Sequence, residues 1–546
     1  MSDNFLVKVK YQGTSLNGEV SAITILEVKS GNKTSAEVPI RTKDMLESKP
    51  LRNLLIDNGM PAAEGVGGKW KRTHERLIKS DLDNLMVLDR PGFHQSNYVD
   101  TSQNAFGLAH KKRMYISGDR VERLHEYSQG EFQEWSDNVA RYAKYSSRLT
   151  LALCAGFSGF TSELLGVESG GIHFYGNSSI GKSTCLRVVA SIFGPKKRVN
   201  SWFATETGVE EMCFSHNNST LILDEFKLLD RDPKIAAQKA TAITYLISEG
   251  GAKKRARSYS DSSSSWNLSL VSAGELSLGE GAVSGGTKRL PGEGVRFLDI
   301  PAQSSEEHGI FDCLPKGYNS SASLVEKISR GTEKYFGTAR FKFLTSLCDQ
   351  LKNDKRKLIG EMKSDMKFFL EKANPNTGCE RRAAKRFALQ YASGSLAAKF
   401  KVLPFSKKEI LDQILKVYMD YKNAIPVSES EVLEGKIRNL KKAIKSAKTV
   451  VVDKVRDVEK RKDMFEKGVI LLKHTRKGRA VILVSKVFFD NAVGGKGDSA
   501  SILKKLAAGD ILIKSSDGKN SLNVPAKFKK IDPALKCFCF DRENLA

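Results

Sequence analysis

The chain has 546 residues, enough at roughly 150 per domain for three or four units and at least one large core. Hydrophobic residues make up 40% and charged residues 28%, which excludes a disordered, collagen-like or small stapled chain. The 88 Lys and Arg against 63 Asp and Glu leave a formal +25, which favours polyanionic partners through phosphate neutralisation; an acidic substrate or an anionic surface would also fit.

In chain order, residues 1–125 alternate short apolar strands (Phe5 to Tyr11, Ala22 to Val28) with a helix from Pro50 to Asn58, predicting an N-terminal α+β domain with no catalytic cluster. The amino end lacks a basic stretch ahead of an apolar run, so no secretory leader is expected. Residues 131–166 read as two helices. The run Leu149 to Ser162 is uncharged but shorter than the ~20 residues of a span, which predicts a buried helix and no membrane contact. From Gly171 the pattern becomes strand and helix in alternation: Ile172 to Tyr175, a helix Lys182 to Phe193, a strand Thr220 to Leu223, a helix Ile235 to Ile247 and a strand Trp266 to Ser272. Such alternation predicts a parallel sheet.

Residues 315–428 read as helical, the last helix opening on the capping box Ser406/Glu409 and burying Ile410, Leu411, Ile414 and Tyr418. Residues 429–466 look like a charged helical connector. The last 80 residues carry helix, strand, an Asp517-Gly518 turn and strand, an order that suggests a winged helix. Residues 401–546 hold 32 Lys and Arg against 18 Asp and Glu, so the basic excess is concentrated there. None of the eight cysteines forms a Cys-x2-Cys pair, and reduced thiols in a cytoplasmic protein are expected.

The chemistry is concentrated in two places. Gly176, Asn177, Ser178, Ser179, Ile180, Gly181, Lys182 and Ser183 satisfy G-x4-G-K-[ST] between a strand and a helix, the setting in which backbone N–H groups and a helix N-terminus cradle phosphates. Lys182 would bridge β- and γ-phosphates, Ser183 would ligate Mg²⁺, and Thr184 completes the ATP-binding set. Forty-two residues after Lys182, the strand Thr220 to Leu223 ends in Asp224-Glu225, the Walker B arrangement: Asp224 on the metal side and Glu225 as proton acceptor for the attacking water. Ser272, at the end of the next strand, is a candidate γ-phosphate sensor, or a hydroxyl that caps backbone.

These residues bring a family into view. The run from Glu168 through Ile172, Gly176 and Lys182 to Thr184 resembles the phosphate loop of the domain of unknown function 927 family, helicase-like ATPases of the AAA+ and superfamily III type carried by phages, plasmids and other mobile elements. Further likeness lies in Ser201-Trp202-Phe203-Ala204-Thr205 with Gly208 and Glu210, Leu221 to Glu225, Ser272 to Glu275, Val295 to Ala302, Tyr335 to Ala339 and Arg386 to Leu389, a span of roughly residues 130–425. Two departures stand out: Ser272-Ala273 where Ser-Thr is expected, and Pro291-Gly292-Glu293-Gly294 before Val295.

The resemblance implies an ATP- and Mg²⁺-dependent ring motor, a hexamer, that moves on single-stranded DNA in a central channel during replication of a mobile element, with a separate primase as partner. Arg289 and Arg296 are the candidates for the cation that reaches a neighbouring subunit's γ-phosphate; the structural alternative is a pair with Asp299 or Glu293. Arg386, on the lid, is a candidate nucleotide contact in cis; the commoner alternative is a surface helix arginine. Lys253, Lys254, Arg255 and Arg257 read as a channel loop on DNA, a solvated loop or a nuclear import signal. Lys504 and Lys505, with Lys473, Arg476, Lys477, Arg479, Lys519, Lys527, Lys529 and Lys530, make the C-terminal unit a second DNA candidate.

The expected fold is therefore α/β: a P-loop AAA+-type ATPase core with a parallel sheet (126–314), a helical lid (315–428), the N-terminal α+β domain (1–125), the connector (429–466) and a basic winged-helix-like domain (467–546). The expected activity is that of an ATP-dependent DNA helicase or translocase. The alternative is an ATP-gated DNA-binding assembly that does not unwind; a third option is a motor acting on protein.

Overall fold

A computed structural model describes residues 5–14, 21–31, 34–80, 84–108, 113–117, 121–252, 265–287, 289, 291–424, 429–452, 469–472, 481–494, 499–514, 522–523 and 536–545. The chain divides into two compact units, Met1–Ala424 and Ile425–Ala546.

The first unit is built on five parallel strands: β1 (Gly170–Tyr175), β2 (Asn200–Ser201), β3 (Thr220–Asp224), β4 (Ser269–Gly274) and β5 (Phe297–Pro301). Their order across the sheet is β2-β3-β4-β1-β5, every neighbouring pair parallel. Strands this short and this apolar, buried along nearly their whole length, are what helices on both faces of a sheet require. The crossovers are helical. Helix α1 (Ser147–Ser158) is buried at all twelve positions, as expected for the uncharged run, and α2 (Lys182–Phe193) follows the phosphate loop. Helices α3 (Glu206–Ser215), α4 (Pro233–Glu249) and α5 (Leu278–Ser284) cover the other strands.

Four helices complete the unit: α6 (Ser321–Lys334), α7 (Thr338–Ala373), α8 (Gly378–Lys399) and α9 (Lys407–Ala424). Helix α8 runs through the core, with Phe387, Leu389 and Ala392 fully buried. The capping box of α9 is present, Glu409 accepting from the Ser406 amide at 2.7 Å while its own amide donates to the Ser406 hydroxyl at 3.2 Å. Helix α7 is broken at Asp354, whose backbone is extended.

At the amino end, strands Phe5–Gly13, Ile23–Ser30 and Ala36–Arg41 form an antiparallel sheet with its own core around Leu26, Leu51, Leu55 and Trp70. The expected boundary at residue 125 moves: Tyr98 and Phe106 pack in the same core as α1, α7 and α8. The reason is a buried charge cluster. Asp100 accepts from Arg340 of α7 at 2.5 Å, and Arg340 also faces Glu126, which lies within 4.0 Å of Arg198.

The second unit has a sheet of mixed direction. Strand Thr449–Val452 pairs parallel with Val469–Leu472, which pairs antiparallel with Val481–Ser485, followed by Lys536–Asp541 and Leu522–Asn523. Helix Glu429–Ser446 sends Leu440 and Ile444 into one core with Phe489, Ile502, Leu506 and Phe540. The expected connector is thus part of this unit rather than a spacer, because Leu433, Ile437, Leu440 and Ile444 make an apolar stripe at helical spacing. The Asp517-Gly518 turn lies outside the described residues. No helix among the described residues is long and apolar enough to cross a membrane, and none of the eight cysteines is bridged.

Candidate functional site

The phosphate loop leaves β1 through backbone conformations that select its glycines. Gly176 has φ 139° and Gly181 φ 106°, and a Cβ on Gly181 would stand 2.8 Å from Ile310. Gly181 opens α2, its carbonyl accepting the amides of Thr184 at 3.0 Å and Cys185 at 3.3 Å. Ser179 holds a left-handed φ of 66° without being glycine. The Lys182 ammonium donates to the carbonyls of Gly176 and Asn177, at 2.8 and 2.5 Å, curling over the loop where a phosphate oxygen would compete for it.

Parallel register sets the rest of the site. Leu223, Ser272 and His173 stand level across β3, β4 and β1, so Asp224 and Glu225 emerge at the same sheet edge as the phosphate loop. The Asp224 carboxylate accepts from the Glu225 amide at 2.9 Å. Glu225 is exposed and left-handed, with φ 64°, a conformation that costs on the order of 1–3 kcal/mol for a residue with a side chain and persists only where its surroundings impose it. Here the surroundings are aromatic: Phe226 packs edge-on against Trp202 at 5.3 Å and against His173 at 5.4 Å.

Together these segments line a cleft of ≈ 810 Å³ that contains Ser178 to Thr184, Asp224, Glu225, Gly274 and Glu275. Its far wall is α6, through Ser321, Ala322, Val325 and Glu326. Gln303, Glu306, Glu307 and Gly309 contribute from the segment after β5. That segment is strapped to the phosphate loop: the Ile310 amide donates to the Ile180 carbonyl at 3.1 Å, and the Ala302 amide to the Tyr175 carbonyl at 2.8 Å. Behind it, Asp312 accepts from the Ser147 amide and from Lys416 of α9, both at 2.5 Å. Arg148, 1% exposed, donates to the carbonyls of Pro301 and Gln303 and to Asp420 of α9. Sequence reasoning missed this strap, Arg187 and the carboxylates of Glu306, Glu307 and Glu326. Arg187 was legible, being one helical turn past Ser183 on the same face of α2.

Other candidates stand elsewhere. Ser272 is fully buried, and its hydroxyl lies 2.8 Å from His173 Nδ1. His173 Nε2 faces the Leu276 carbonyl at 3.0 Å, so Nε2 carries the proton and Ser272 donates to Nδ1. Burial holds His173 below its ordinary pKa, hence neutral. Ser272 therefore braces β4 against β1 and is not on the cleft wall. Arg289 is engaged in cis: it pairs with Asp299 at 2.8 Å and donates to the carbonyls of Glu293 and Phe297. Arg296 stands free of ion pairs among the described residues, just before β5 at the sheet edge opposite the phosphate loop.

Arg386 is 6% exposed and donates to the carbonyls of Glu168 and Ser169, at that same opposite edge. Burial lowers its pKa to about 10. Arg386 thus ties α8 to the start of β1, a strand's length from the phosphate-loop edge, and is neither the candidate nucleotide contact nor a surface arginine. Lys253, Lys254, Arg255 and Arg257 lie outside the described residues, as do Lys473, Arg476, Lys477, Arg479, Lys519, Lys527, Lys529 and Lys530. Lys504 is exposed, whereas Lys505 pairs with Glu434 at 2.9 Å within its own unit.

The glycine-rich loop and the acidic strand end thus meet at one edge of a parallel sheet. Comparison with known proteins agrees with the motifs: the model of the family described as "Domain of unknown function (DUF927)" matches residues 17–263, the family that the phosphate-loop segment resembles. The match begins earlier and ends sooner than the motif likeness, taking in the second and third strands of the N-terminal sheet and stopping before β4. Among solved structures, one titled "SCCmec type IV Cch - active helicase" superposes with a TM-score of 0.56 at 14% identity, covering 99% of this chain and 94% of that one. At that identity the likeness is one of fold. No curated protein matches the chain.

Proposed function

We propose that this protein is an ATP-dependent DNA helicase or translocase of a mobile element, working as a ring of identical subunits. One observation carries the reading: the phosphate loop at Gly181-Lys182-Ser183 and the carboxylates of Asp224 and Glu225 meet in one cleft, although 41 or more residues separate them in the chain.

The residues present fit a nucleoside triphosphate with a divalent cation. Glycines at 176 and 181 give the loop positive φ angles that side chains rarely adopt, the Lys182 ammonium lies over the loop, and Ser183 and Asp224, which line the same cleft, would supply hard oxygen ligands. Mg²⁺ held there would neutralise charge on the phosphate oxygens. Lys182 would release its two loop carbonyls to bind β- and γ-oxygens. Glu225, presented by its left-handed backbone, would take the proton of the attacking water, a task fitted to an exposed carboxylate. Strand β4 between β1 and β3 sets the two walls about 10 Å apart, leaving room for a γ-phosphate and a water between them. Arg296 is the remaining candidate for a cation offered to a neighbouring subunit, since Arg289 is occupied.

The action on DNA is supported by the +25 charge, the motif likeness and the fold shared with a structure titled a helicase. The test is ATP hydrolysis by the purified chain with and without single-stranded DNA, alongside strand displacement. Hydrolysis stimulated by DNA with displacement sustains the proposal. DNA loading that depends on ATP without displacement supports the gated-assembly alternative instead.

A further inference from the structure

Helix α7 carries a charge arrangement that the fold does not explain. After the break at Asp354, its second half buries Leu358, Met362, Met366, Phe369 and Ala373 on one face. The opposite face presents Arg356, Lys357 and Lys363, all exposed, and none makes an ion pair with a described residue. Most acids of this half of the helix are already used: Glu361 pairs with Lys399 at 2.6 Å, Asp365 with Lys407 at 2.8 Å, Glu371 with Lys367 at 3.9 Å, and Asp354 accepts from the Lys357 amide at 2.9 Å. Lys352 and Lys355 add two exposed cations at the break.

Two further features lie on the same face. Gly360 sits in the helix interior, where glycine is unfavourable, and a Cβ there would meet nothing within 4 Å. Packing inside the chain gives it no reason to be glycine. Phe368, two turns on, is 41% exposed. Arg356 and Lys363, followed by Lys367, which is paired with Glu371, run along the face over about 16 Å, the axial length of some five phosphates at ~3.4 Å each.

We propose that this face of α7 is a nucleic-acid-binding surface that holds a sugar–phosphate backbone, with Arg356, Lys357 and Lys363 on phosphates, Gly360 allowing close approach of the strand and Phe368 available for stacking. Charge complementarity selects the partner: uncompensated cations flanking a bare backbone suit a continuous polyanion. The inference rests on the reading of the chain as an ATPase that acts on DNA, and it adds a contact to the lid itself, on residues that no motif marked.

The experiment measures affinity of the full chain for single-stranded and duplex oligonucleotides across a salt series, for wild type, for the combined Arg356→Ala, Lys357→Ala and Lys363→Ala variant, and for Gly360→Gln. All four changes favour helix, so folding is preserved and Tm should not fall. ATP hydrolysis without DNA should be unchanged, because none of these residues lines the cleft. The triple variant should bind about tenfold or more weakly, with a salt slope shallower by about 2, and Gly360→Gln should bind more weakly at unchanged charge. A larger loss on single strands than on duplex supports stacking by Phe368.

Unchanged affinity and slope in the triple variant, with wild type still binding DNA, overturns this inference and leaves the proposed function standing. Loss of polyglutamate binding in that variant with DNA affinity intact also overturns it, in favour of an acidic protein. A wild type that hydrolyses ATP and binds neither form of DNA removes the DNA reading itself.

Discussion

At the scale of single residues, the proposed function has Lys182 and Glu225 divide binding from turnover. Lys182→Ala removes a cation whose attraction is strongest for the terminal phosphates, so nucleotide affinity should fall together with hydrolysis. Glu225→Gln keeps the shape of the edge and removes the proposed general base, so binding should persist while kcat falls on the order of 10²–10⁴-fold. Titration calorimetry beside a phosphate-release assay separates the two. Equal loss of affinity in both variants would refute the assignment of roles. Ser272 gives the converse prediction. Because its hydroxyl serves His173 rather than the cleft, Ser272→Ala should leave a buried imidazole nitrogen without its donor, at a cost of about 1–3 kcal/mol in unfolding, while kcat changes little. A hundredfold loss of turnover at unchanged Tm would return Ser272 to the role of sensor.

At the scale of elements, the strap after β5 is the part of the site that chain order hides. It reaches the phosphate loop through Ile310 and Ile180, and it is held from behind by Asp312, to which α1 and α9 both donate. Desolvation pushes the Asp312 carboxyl up, but the Lys416 ammonium and the Ser304 hydroxyl outweigh it and hold the pKa below the usual 3.8. A depressed acid contributes stability that is present above the unfolded value and lost as pH falls through the folded one. Unfolding free energy should therefore drop below about pH 4, and Asp312→Asn should remove part of that acid dependence while lowering stability at pH 7. Chemical denaturation across pH checks both. The phosphate loop and acidic strand were legible because a local backbone demand for glycine and a strand-end carboxylate pair are written in contiguous residues. The strap, the Ser272–His173 contact and the Arg289–Asp299 pair were not, since each joins residues whose adjacency only the sheet creates. Helix Glu429–Ser446 was misread for another reason: its surface charge masked the apolar stripe from Leu433 to Ile444.

At the scale of the whole molecule, the division after Ala424 separates features that the composition blends. Every residue of the cleft belongs to the first unit, and α9, which closes that unit, braces the strap through Lys416 and Asp420. The second unit has its own core around Leu440, Phe489 and Phe540, so neither needs the other to bury its apolar residues. Truncation to residues 1–424 should thus leave a folded protein whose DNA-independent ATP hydrolysis stays within about threefold of the full chain, a difference of some 0.6 kcal/mol in barrier. DNA affinity should fall, because residues 401–546 hold 32 Lys and Arg against 18 Asp and Glu and most of that excess is removed. The residual affinity then reports on the first unit alone: if α7 holds DNA, it should remain salt-dependent and should vanish when Arg356, Lys357 and Lys363 are also replaced. Residual binding insensitive to salt would mean that the first unit holds DNA by some other chemistry, and loss of hydrolysis on truncation would mean that the cleft depends on the C-terminal unit after all.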